Sequence, residues 1–228
     1  MEIIARESLP LGGFAGLTEH RLVMDSRVFA HRKPHNTFEG LGRFVYLADA
    51  RFNSFGETGM HPHHEIDVIS VMVEGEVAHK GSLEHGAILR EGNVQVQRAG
   101  QEGFSHNEVN PNGKQNRMIQ LWALPDQPGE PAGYKQYVPV KNGVTKIYGG
   151  AKDQKDTFDS STNIDVVNVA PGRSYQYDDE TMMYVVSGSI NVFDDISDQY
   201  VKLEEGHLIR AKYLSFSSDS SGQCIVIS

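Results

Sequence analysis

Residues 61–75, which read HPHHEIDVISVMVEG, decide the fold of this 228-residue chain. The apolar run Val68–Val73 is rich in β-branched side chains, and the Glu74-Gly75 pair behind it is typical of a hairpin turn. Similar short runs recur at Phe44–Tyr46, Met118–Trp122, Ile164–Val169 and Met183–Val186. No sustained 3.6-residue periodicity competes with them, so the sequence predicts an all-β fold, either a sandwich or a barrel.

The chain reads as two copies of one β module. A Pro/Gly-rich stretch at residues 125–133, PDQPGEPAG, divides it nearly in half and is the natural linker. When Gly75 is aligned with Gly188, residues 71–77 match residues 184–190 in apolar pattern. The predicted domains are residues 1–128 and residues 129–228.

Composition and charge exclude several classes of function. The formal net charge is −9, from 30 acidic and 21 basic residues, and the basic residues form no cluster that could follow a phosphate backbone. We therefore expect no direct binding to nucleic acid. The acidic clusters Asp178–Glu180 and Asp194–Asp195 lack the pattern of a calcium loop, and we expect them to be solvated turns.

The expected cellular location follows from cysteine content and hydropathy. Cys224 is the sole cysteine, which excludes an internal disulfide and fits a reducing compartment. Charged side chains interrupt residues 1–13, so this segment makes neither a signal peptide nor a membrane anchor. No segment approaches the roughly 20 apolar residues of a membrane span, so we expect a cytoplasmic protein with no membrane partner.

Two pairs of metal-binding side chains stand at strand spacing. His61 and His63 are two residues apart, and alternate side chains of a strand point to the same face. Further along the chain, His106 and Glu108 repeat this spacing with one imidazole and one carboxylate. Two facing antiparallel strands would bring all four groups together as ligands of one divalent ion. Such a set suits Fe(II), Mn(II), Ni(II) or Cu(II) and leaves coordination positions open, while zinc remains an alternative.

The second copy of the module serves as an internal control. At the positions that correspond to His61, His63, Asp67, His106 and Glu108, it carries Ser174, Gln176, Glu180, Ser220 and Gly222. We therefore expect no metal site in the second half. A lone histidine in a strand is more often a surface or core residue than a ligand, and we expect this role for His20, His31, His35, His79, His85 and His207.

The spacing of glycines and ligands resembles a known family. Gly56-(x4)-His61-Pro62-His63-(x3)-Asp67-(x7)-Gly75 and Gly92-(x7)-Gly100-(x5)-His106-(x3)-Asn110 resemble the paired motifs of cupins, and the wording HPH…EG…AG…GxxHxE is similar to the pirin family of bicupins. The resemblance implies two tandem antiparallel, jelly-roll-like β-barrels, of which the second is degenerate. It also implies one metal ion, usually iron, held in the first barrel by His61, His63, His106 and Glu108.

One departure bears on the choice of the carboxylate ligand. In many cupins this ligand follows the second histidine by four residues, which here would be Asp67. Pirins use the carboxylate of the HxE motif, so the resemblance favours Glu108. We then expect Asp67 to accept a hydrogen bond from the N–H of a metal-bound imidazole. Gln120 and Trp122 share a strand face, where either could line the pocket, and we expect packing to be their main role.

The resemblance also implies a function. Bacterial pirins are often associated with quercetin 2,3-dioxygenase activity, and eukaryotic ones with transcriptional coregulation. We expect a metal-dependent dioxygenase that acts on a flavonol-like aromatic substrate with O₂, in which Glu108 is a ligand and the base that takes a hydroxyl proton. The alternative is a non-enzymatic metal or redox sensor that binds a protein partner. A different cupin activity, such as isomerisation or sugar modification, shares the fold.

Overall fold

The computed structural model describes residues 1–194 and 198–228. Residues in this part of the chain form two compact units, of which one is Leu9–Val138 and the other joins Met1–Ser8 to Pro139–Ser228. The sequence-based division at residues 128 and 129 stays a prediction. No helix in the described ranges is long and apolar enough to cross a membrane.

Short strands predominate, as the sequence predicts, and helix in the described residues is limited to α1 (Ser26–Phe29) and two 3₁₀ turns, Arg6–Ser8 and Ala30–Arg32. The strands are β1 (Glu2–Ala5), β2 (Gly12–Phe14), β3 (Leu17–Met24), β4 (Phe44–Phe52), β5 (His61–His63), β6 (Asp67–Glu74), β7 (Glu76–Gly81), β8 (Ile88–Arg90), β9 (Val94–Arg98), β10 (Phe104–Val109), β11 (Arg117–Ala123), β12 (Gly133–Tyr137), β13 (Gly143–Gly150), β14 (Ser160–Val169), β15 (Ser174–Tyr177), β16 (Thr181–Ser187), β17 (Ser189–Asp194), β18 (Gln199–Glu204), β19 (His207–Ala211), β20 (Leu214–Ser217) and β21 (Gly222–Ile227).

Each unit contains a large and a small antiparallel sheet. In the Leu9–Val138 unit the strand orders are β12-β9-β6-β11-β4-β3-β2 and β5-β10-β7-β8. In the second unit they are β1-β19-β16-β21-β14-β13 and β15-β20-β17-β18. The predicted all-β class and the tandem organisation are confirmed, and each unit is a pair of sheets.

The core of each unit lies between its two sheets. In the first unit, Phe52 of the large sheet and Val77 of the small sheet belong to one buried cluster. In the second unit, Met183 and Phe216 do the same. Full burial of an apolar side chain of this size contributes about 1.5–3 kcal/mol, so this alternation of apolar residues holds the two sheets together.

The predicted internal repeat is visible in the topology. Gly75 and Gly188 each end a central strand with positive φ angles of 76° and 80°, a backbone conformation that glycine adopts without strain. The two small sheets also have the same strand order. In the second of these sheets, Ser174 lies opposite Ser217. Ser217, and not Ser220 as the sequence alignment suggests, is therefore the counterpart of His106 on β10.

One expected solvated turn is instead buried. The Asp194 side chain is 3% exposed, and its carboxylate lies 3.8 Å from the amino group of Met1. Asp195, the second member of this acidic pair, lies outside the described residues. The expectation of a solvated turn is wrong for Asp194, because a paired carboxylate can be buried where an unpaired one cannot.

A buried ion pair joins two central strands of the large sheet in the Leu9–Val138 unit. Asp49 of β4 is fully buried, and Arg117 of β11 donates to it from Nε at 3.1 Å and from Nη2 at 2.6 Å. Arg51 donates to the same carboxylate at 3.0 Å. Such pairs are costly to break, because removal of one partner leaves the other charge desolvated without compensation.

We expect Asp49→Ala to lower the free energy of unfolding of this unit by about 3–5 kcal/mol. Urea denaturation followed by the fluorescence of Trp122, the sole tryptophan, measures this unit. Glu91→Ala removes an exposed carboxylate from the turn before β9 and should change the value by less than about 0.5 kcal/mol. Equal effects of the two substitutions would contradict this account of the ion pair.

Candidate metal centre

Three of the predicted ligands meet because β5 and β10 are antiparallel neighbours. Their register places His61 directly opposite His106, and His63 opposite Phe104. The Nε2 atom of His106 lies 3.0 Å from that of His61 and 3.2 Å from that of His63. In the described part of the chain, these three histidines form the one group whose potential ligand atoms all lie within 4.8 Å of one another.

A glycine makes room for this cluster on the other side of β10. Gly81 of β7 lies opposite His106 in the register. A Cβ atom at Gly81 would lie 2.9 Å from the Cβ of His106 and 2.5 Å from the carbonyl oxygen of Ser105, closer than real Cβ atoms approach. A side chain at this position would therefore displace His106 from the cluster.

Hydrogen bonding and burial prepare the imidazoles for a cation. The Nδ1 atom of His61 lies 2.9 Å from the carbonyl oxygen of Gly59. A carbonyl only accepts, so Nδ1 carries the proton and the lone pair of Nε2 faces the cluster. Burial lowers the pKa of His63 to about 4 and that of His106 to about 2, so both rings are neutral at pH 7. Neutral imidazole nitrogens that converge at about 3 Å fit a divalent metal ion.

Glu108 lies on the wall of the same cavity but outside the cluster of three histidines. Its carboxylate accepts hydrogen bonds from Gln95 at 3.2 Å, from Gln120 at 3.3 Å and from Ser70 at 3.4 Å. These donors belong to β9, β11 and β6, and the register aligns them in one row across the large sheet. Burial raises the pKa of Glu108 to about 7, although the bonds from Ser70 and Gln120 oppose this rise.

Asp67 does not have the role that we expect from the sequence. Its carboxylate accepts a hydrogen bond from Nε of Arg98 at 3.2 Å, and both side chains are buried. The acceptors beside the imidazole Nδ1 atoms are instead the carbonyl of Gly59 and the side chain of Gln97. The prediction for Asp67 is wrong because Arg98 lies directly opposite it on β9 and offers a full positive charge.

The cluster opens into a cavity of about 410 Å³ within the Leu9–Val138 unit. One wall is aromatic: the ring of Tyr46 stacks on that of Trp122 at 4.4 Å, and Phe29 packs against both at 5.5 and 6.0 Å. Asp25 caps α1 by accepting a hydrogen bond from the backbone N–H of Arg27, which places Phe29 on this wall. The lining residues are Phe14, Glu19, Arg21, Met24, Phe29, Arg32, Tyr46, Thr58, His61, Pro62, His63, Glu108, Gln120 and Trp122.

A buried polar group holds the aromatic wall in place. The hydroxyl of Tyr46 donates to Glu19 at 2.9 Å, and Arg21 donates to the same carboxylate at 2.6 Å. Burial, and next the negative charge of Glu19, raise the pKa of Tyr46 well above its ordinary value. The phenol therefore stays protonated and keeps its ring fixed beside Trp122.

The structure shows which residues sequence reasoning placed well and which it missed. It brings His61, His63 and His106 together, and it places Glu108 on the wall of the same cavity. Gln120 and Trp122 line the cavity, and Trp122 also packs against two buried clusters, as expected. The missed residues are Gln95, Gln97, Phe29 and Tyr46, while His79 is a buried residue, as expected. The one available signal was the alternation Val94-Gln95-Val96-Gln97, which puts two amides on one face of a strand.

Comparison with known proteins supports the resemblance. Residues 24–123 match the model of the Pirin family, so the resemblance to pirins is confirmed for this part of the chain. A protein of Zymomonas mobilis named "Putative quercetin 2,3-dioxygenase" is 34% identical over 85 residues, which cover 37% of this chain and 36% of the relative. A protein of the same name from Pseudomonas aeruginosa is 28% identical over 142 residues, which cover 58% and 61%. The chain thus matches less than two thirds of the length of either relative.

Solved structures share the fold over nearly the whole chain. A bacterial pirin from Escherichia coli in complex with nickel(II) has a TM-score of 0.82 at 18% identity, with 99% of this chain and 97% of that chain covered. A quercetin 2,3-dioxygenase from Acinetobacter baumannii has a TM-score of 0.71 at 19% identity, with 100% and 85% covered. The tandem all-β architecture is therefore that of the pirin bicupins.

The burial of Glu108 makes a prediction about stability and pH. The folded state raises the pKa of this carboxyl from 4.5 to about 7, so folding favours its protonated form. The stability of the metal-free protein should then fall as the pH rises from about 4.5 to about 7. One pKa unit corresponds to about 1.4 kcal/mol, so the loss amounts to roughly 3 kcal/mol.

Glu108→Gln lacks this ionisation, so the variant should gain about 3 kcal/mol relative to the wild type between pH 5 and pH 8. Urea denaturation of the chelator-treated proteins at both pH values measures the difference. Glu74→Gln, an exposed carboxyl, should show no such change. A Glu108→Gln difference that does not vary with pH would show that burial does not perturb the carboxyl.

Proposed function

We propose that this chain is a pirin-like, metal-dependent dioxygenase that oxidises a flavonol such as quercetin with O₂. The observation that carries the proposal is the cluster of three imidazole Nε2 atoms, at 3.0 and 3.2 Å, on the wall of a cavity with an aromatic lining. We infer one divalent ion, with Fe(II) as the expected metal and manganese, nickel, copper or zinc as alternatives. The nickel(II) complex of a bacterial pirin with the same fold supports a divalent metal.

We assign His61, His63, His106 and Glu108 as the residues that would hold this ion. A bound ion would supply Lewis acidity and redox chemistry. The protein side chains would bind and orient the substrate and move its proton. The carboxylate of Glu108 is suited to accept the hydroxyl proton of a substrate in the cavity. Its pKa of about 7 lies where a group exchanges protons most readily at neutral pH. Gln95 and Gln120 each donate a hydrogen bond to one of its oxygens and so orient the carboxylate.

The cavity supports a small aromatic substrate. Its volume of about 410 Å³ falls in the usual range for small-molecule sites, about 300–1,000 Å³. Tyr46, Trp122 and Phe29 present stacked rings, and a flat aromatic substrate gains from a wall of this kind. The names of the Zymomonas and Pseudomonas relatives suggest quercetin as the first compound to test.

The first test is oxygen uptake. We expect the anaerobically purified protein, loaded with Fe(II), to consume O₂ when quercetin is added. Since changes beside metal ligands already cost 10–100-fold, His61→Ala should lower the rate at least about 100-fold. His35→Ala removes an exposed histidine of the same unit and should leave the rate unchanged. An absence of metal-dependent uptake with any flavonol would exclude this function, while metal analysis reports on the site independently.

The second test uses Trp122, whose emission is the sole tryptophan signal of the chain. We expect quercetin to quench this emission saturably in the absence of O₂, because the ring stacks on the aromatic wall. Phe29→Ala should raise the dissociation constant roughly 2- to 10-fold, the value of one aromatic contact. Phe55→Ala, at a phenylalanine that is 69% exposed, is the matched control and should have no effect. Equal affinities of all three proteins would show that the ligand binds elsewhere.

A further inference from the structure

A fourth histidine lies behind the cluster and takes no part in it. His79 of β7 is 1% exposed, and its ring centroid lies 5.3 Å from that of His106. Gln97 of β9, which is fully buried, stands between the two rings. Buried polar side chains such as these are normally hydrogen-bonded, so each of their polar atoms needs a partner.

These side chains form a hydrogen-bonded chain that starts at a backbone carbonyl. Nδ1 of His79 lies 3.3 Å from the carbonyl oxygen of Glu84. Nε2 of His79 lies 3.0 Å from Nε2 of Gln97, and Oε1 of Gln97 lies 3.1 Å from Nδ1 of His106. Each polar atom of the chain thus faces one partner.

The carbonyl of Glu84 gives the chain its direction, because a carbonyl can only accept. Nδ1 of His79 must carry the proton to make that bond, which leaves Nε2 of the neutral ring as an acceptor. Gln97 then turns its NH₂ group toward His79 and its oxygen toward His106. Nδ1 of His106 donates to this oxygen, so the lone pair of its Nε2 faces His61 and His63.

The opposite direction would disable the cluster. With the amide of Gln97 reversed, His106 would carry its proton on Nε2 and could donate it to Nε2 of His61 at 3.0 Å. A protonated Nε2 cannot bind a metal ion. This arrangement would also leave two acceptors, Nδ1 of His79 and the carbonyl of Glu84, facing each other at 3.3 Å.

We propose that Gln97 and His79 are positioning residues that hold His106 in the tautomer able to bind a metal ion. The inference rests on the metal site of the proposed function, but it concerns the metal-free protein and can be tested without turnover. Orientation of a metal-binding histidine through its second nitrogen is a general requirement of such sites. Here the backbone carbonyl of Glu84 fixes the position of the proton on His79. The amide of Gln97 then orients itself between the two rings and fixes the proton of His106.

The test reads the tautomers directly. Imidazole nitrogen NMR of the ¹⁵N-labelled, chelator-treated protein at neutral pH distinguishes a protonated Nδ1 from a protonated Nε2. We expect His106 and His79 both to carry the proton on Nδ1, with His79→Phe assigning the signals of His79. A wild-type His106 protonated on Nε2 would overturn the proposal.

Substitutions at Gln97 and His79 distinguish a positioning role of these residues from a packing role. Gln97→Met removes the acceptor and should give His106 a mixture of tautomers, as should His79→Phe. Gln97→Glu keeps an acceptor for Nδ1 of His106 and should restore its single tautomer. Gln95→Met is the matched control, since it removes a buried amide two residues away on the same face but leaves this chain intact. A mixed tautomer in Gln95→Met, or a single one in Gln97→Met, would contradict the proposed role.

Metal affinity gives the second readout. We expect calorimetric titration with Ni(II) to show binding 10–100-fold weaker in Gln97→Met and His79→Phe than in the wild type. His35→Phe changes an exposed histidine of the same unit and should bind Ni(II) normally. Unchanged Ni(II) affinity in both Gln97→Met and His79→Phe would overturn the proposal. Loss of flavonol turnover alone would not, because that result bears on the proposed function.

Discussion

The site depends on one geometric constraint: Nε2 of His106 is held 3.0 Å from Nε2 of His61 and 3.2 Å from Nε2 of His63. Nitrogen lone pairs this close repel one another unless a proton or a metal ion lies between them, and burial strengthens the repulsion by removing water. The pairing of β5 with β10 holds the rings there, as does the glycine of β7 that leaves space beside His106. The fold therefore holds together three imidazoles that could bind one metal ion.

The two sheets of the first unit contribute different side chains to the site. The small sheet carries the three histidines and Glu108. The large sheet supplies the surroundings in two adjacent rows, one with the polar side chains of Gln95, Ser70 and Gln120, the other with Gln97, Trp122 and Tyr46. Both rows lie on the same face of the large sheet because they are separated by two residues on every strand that they cross. One face of one sheet thus orients the ligands and also builds the aromatic wall.

The second unit shows what the same topology does without these side chains. Its small sheet repeats the strand order of the first, and Ser174 lies opposite Ser217 where the first unit pairs His61 with His106. Hydroxyl groups at these positions are weak ligands for divalent iron, nickel, copper or zinc, which favour imidazole nitrogen. The architecture is therefore common to both halves, while the chemistry belongs to a few positions on two strands.

The sequence by itself determined the features that follow from local periodicity. Alternation along a strand puts His61 beside His63, and His106 beside Glu108, whatever the rest of the chain does. Turn residues marked the hairpins at Gly75 and Gly188 in the same way, because glycine adopts the positive φ of such a turn without steric cost. The all-β class, the repeat and the choice of histidines could be predicted on this basis.

Only the tertiary structure decided which distant side chains meet. Asp67 turned out to pair with Arg98 and not with an imidazole, because the register of β6 with β9 sets them opposite each other. Gln97 and His79 came to lie behind His106 through contacts among three strands that are separate in the sequence. A hydrogen bond of this kind depends on the register of neighbouring strands and on competing partners. The spacing of residues along one strand predicts neither of them.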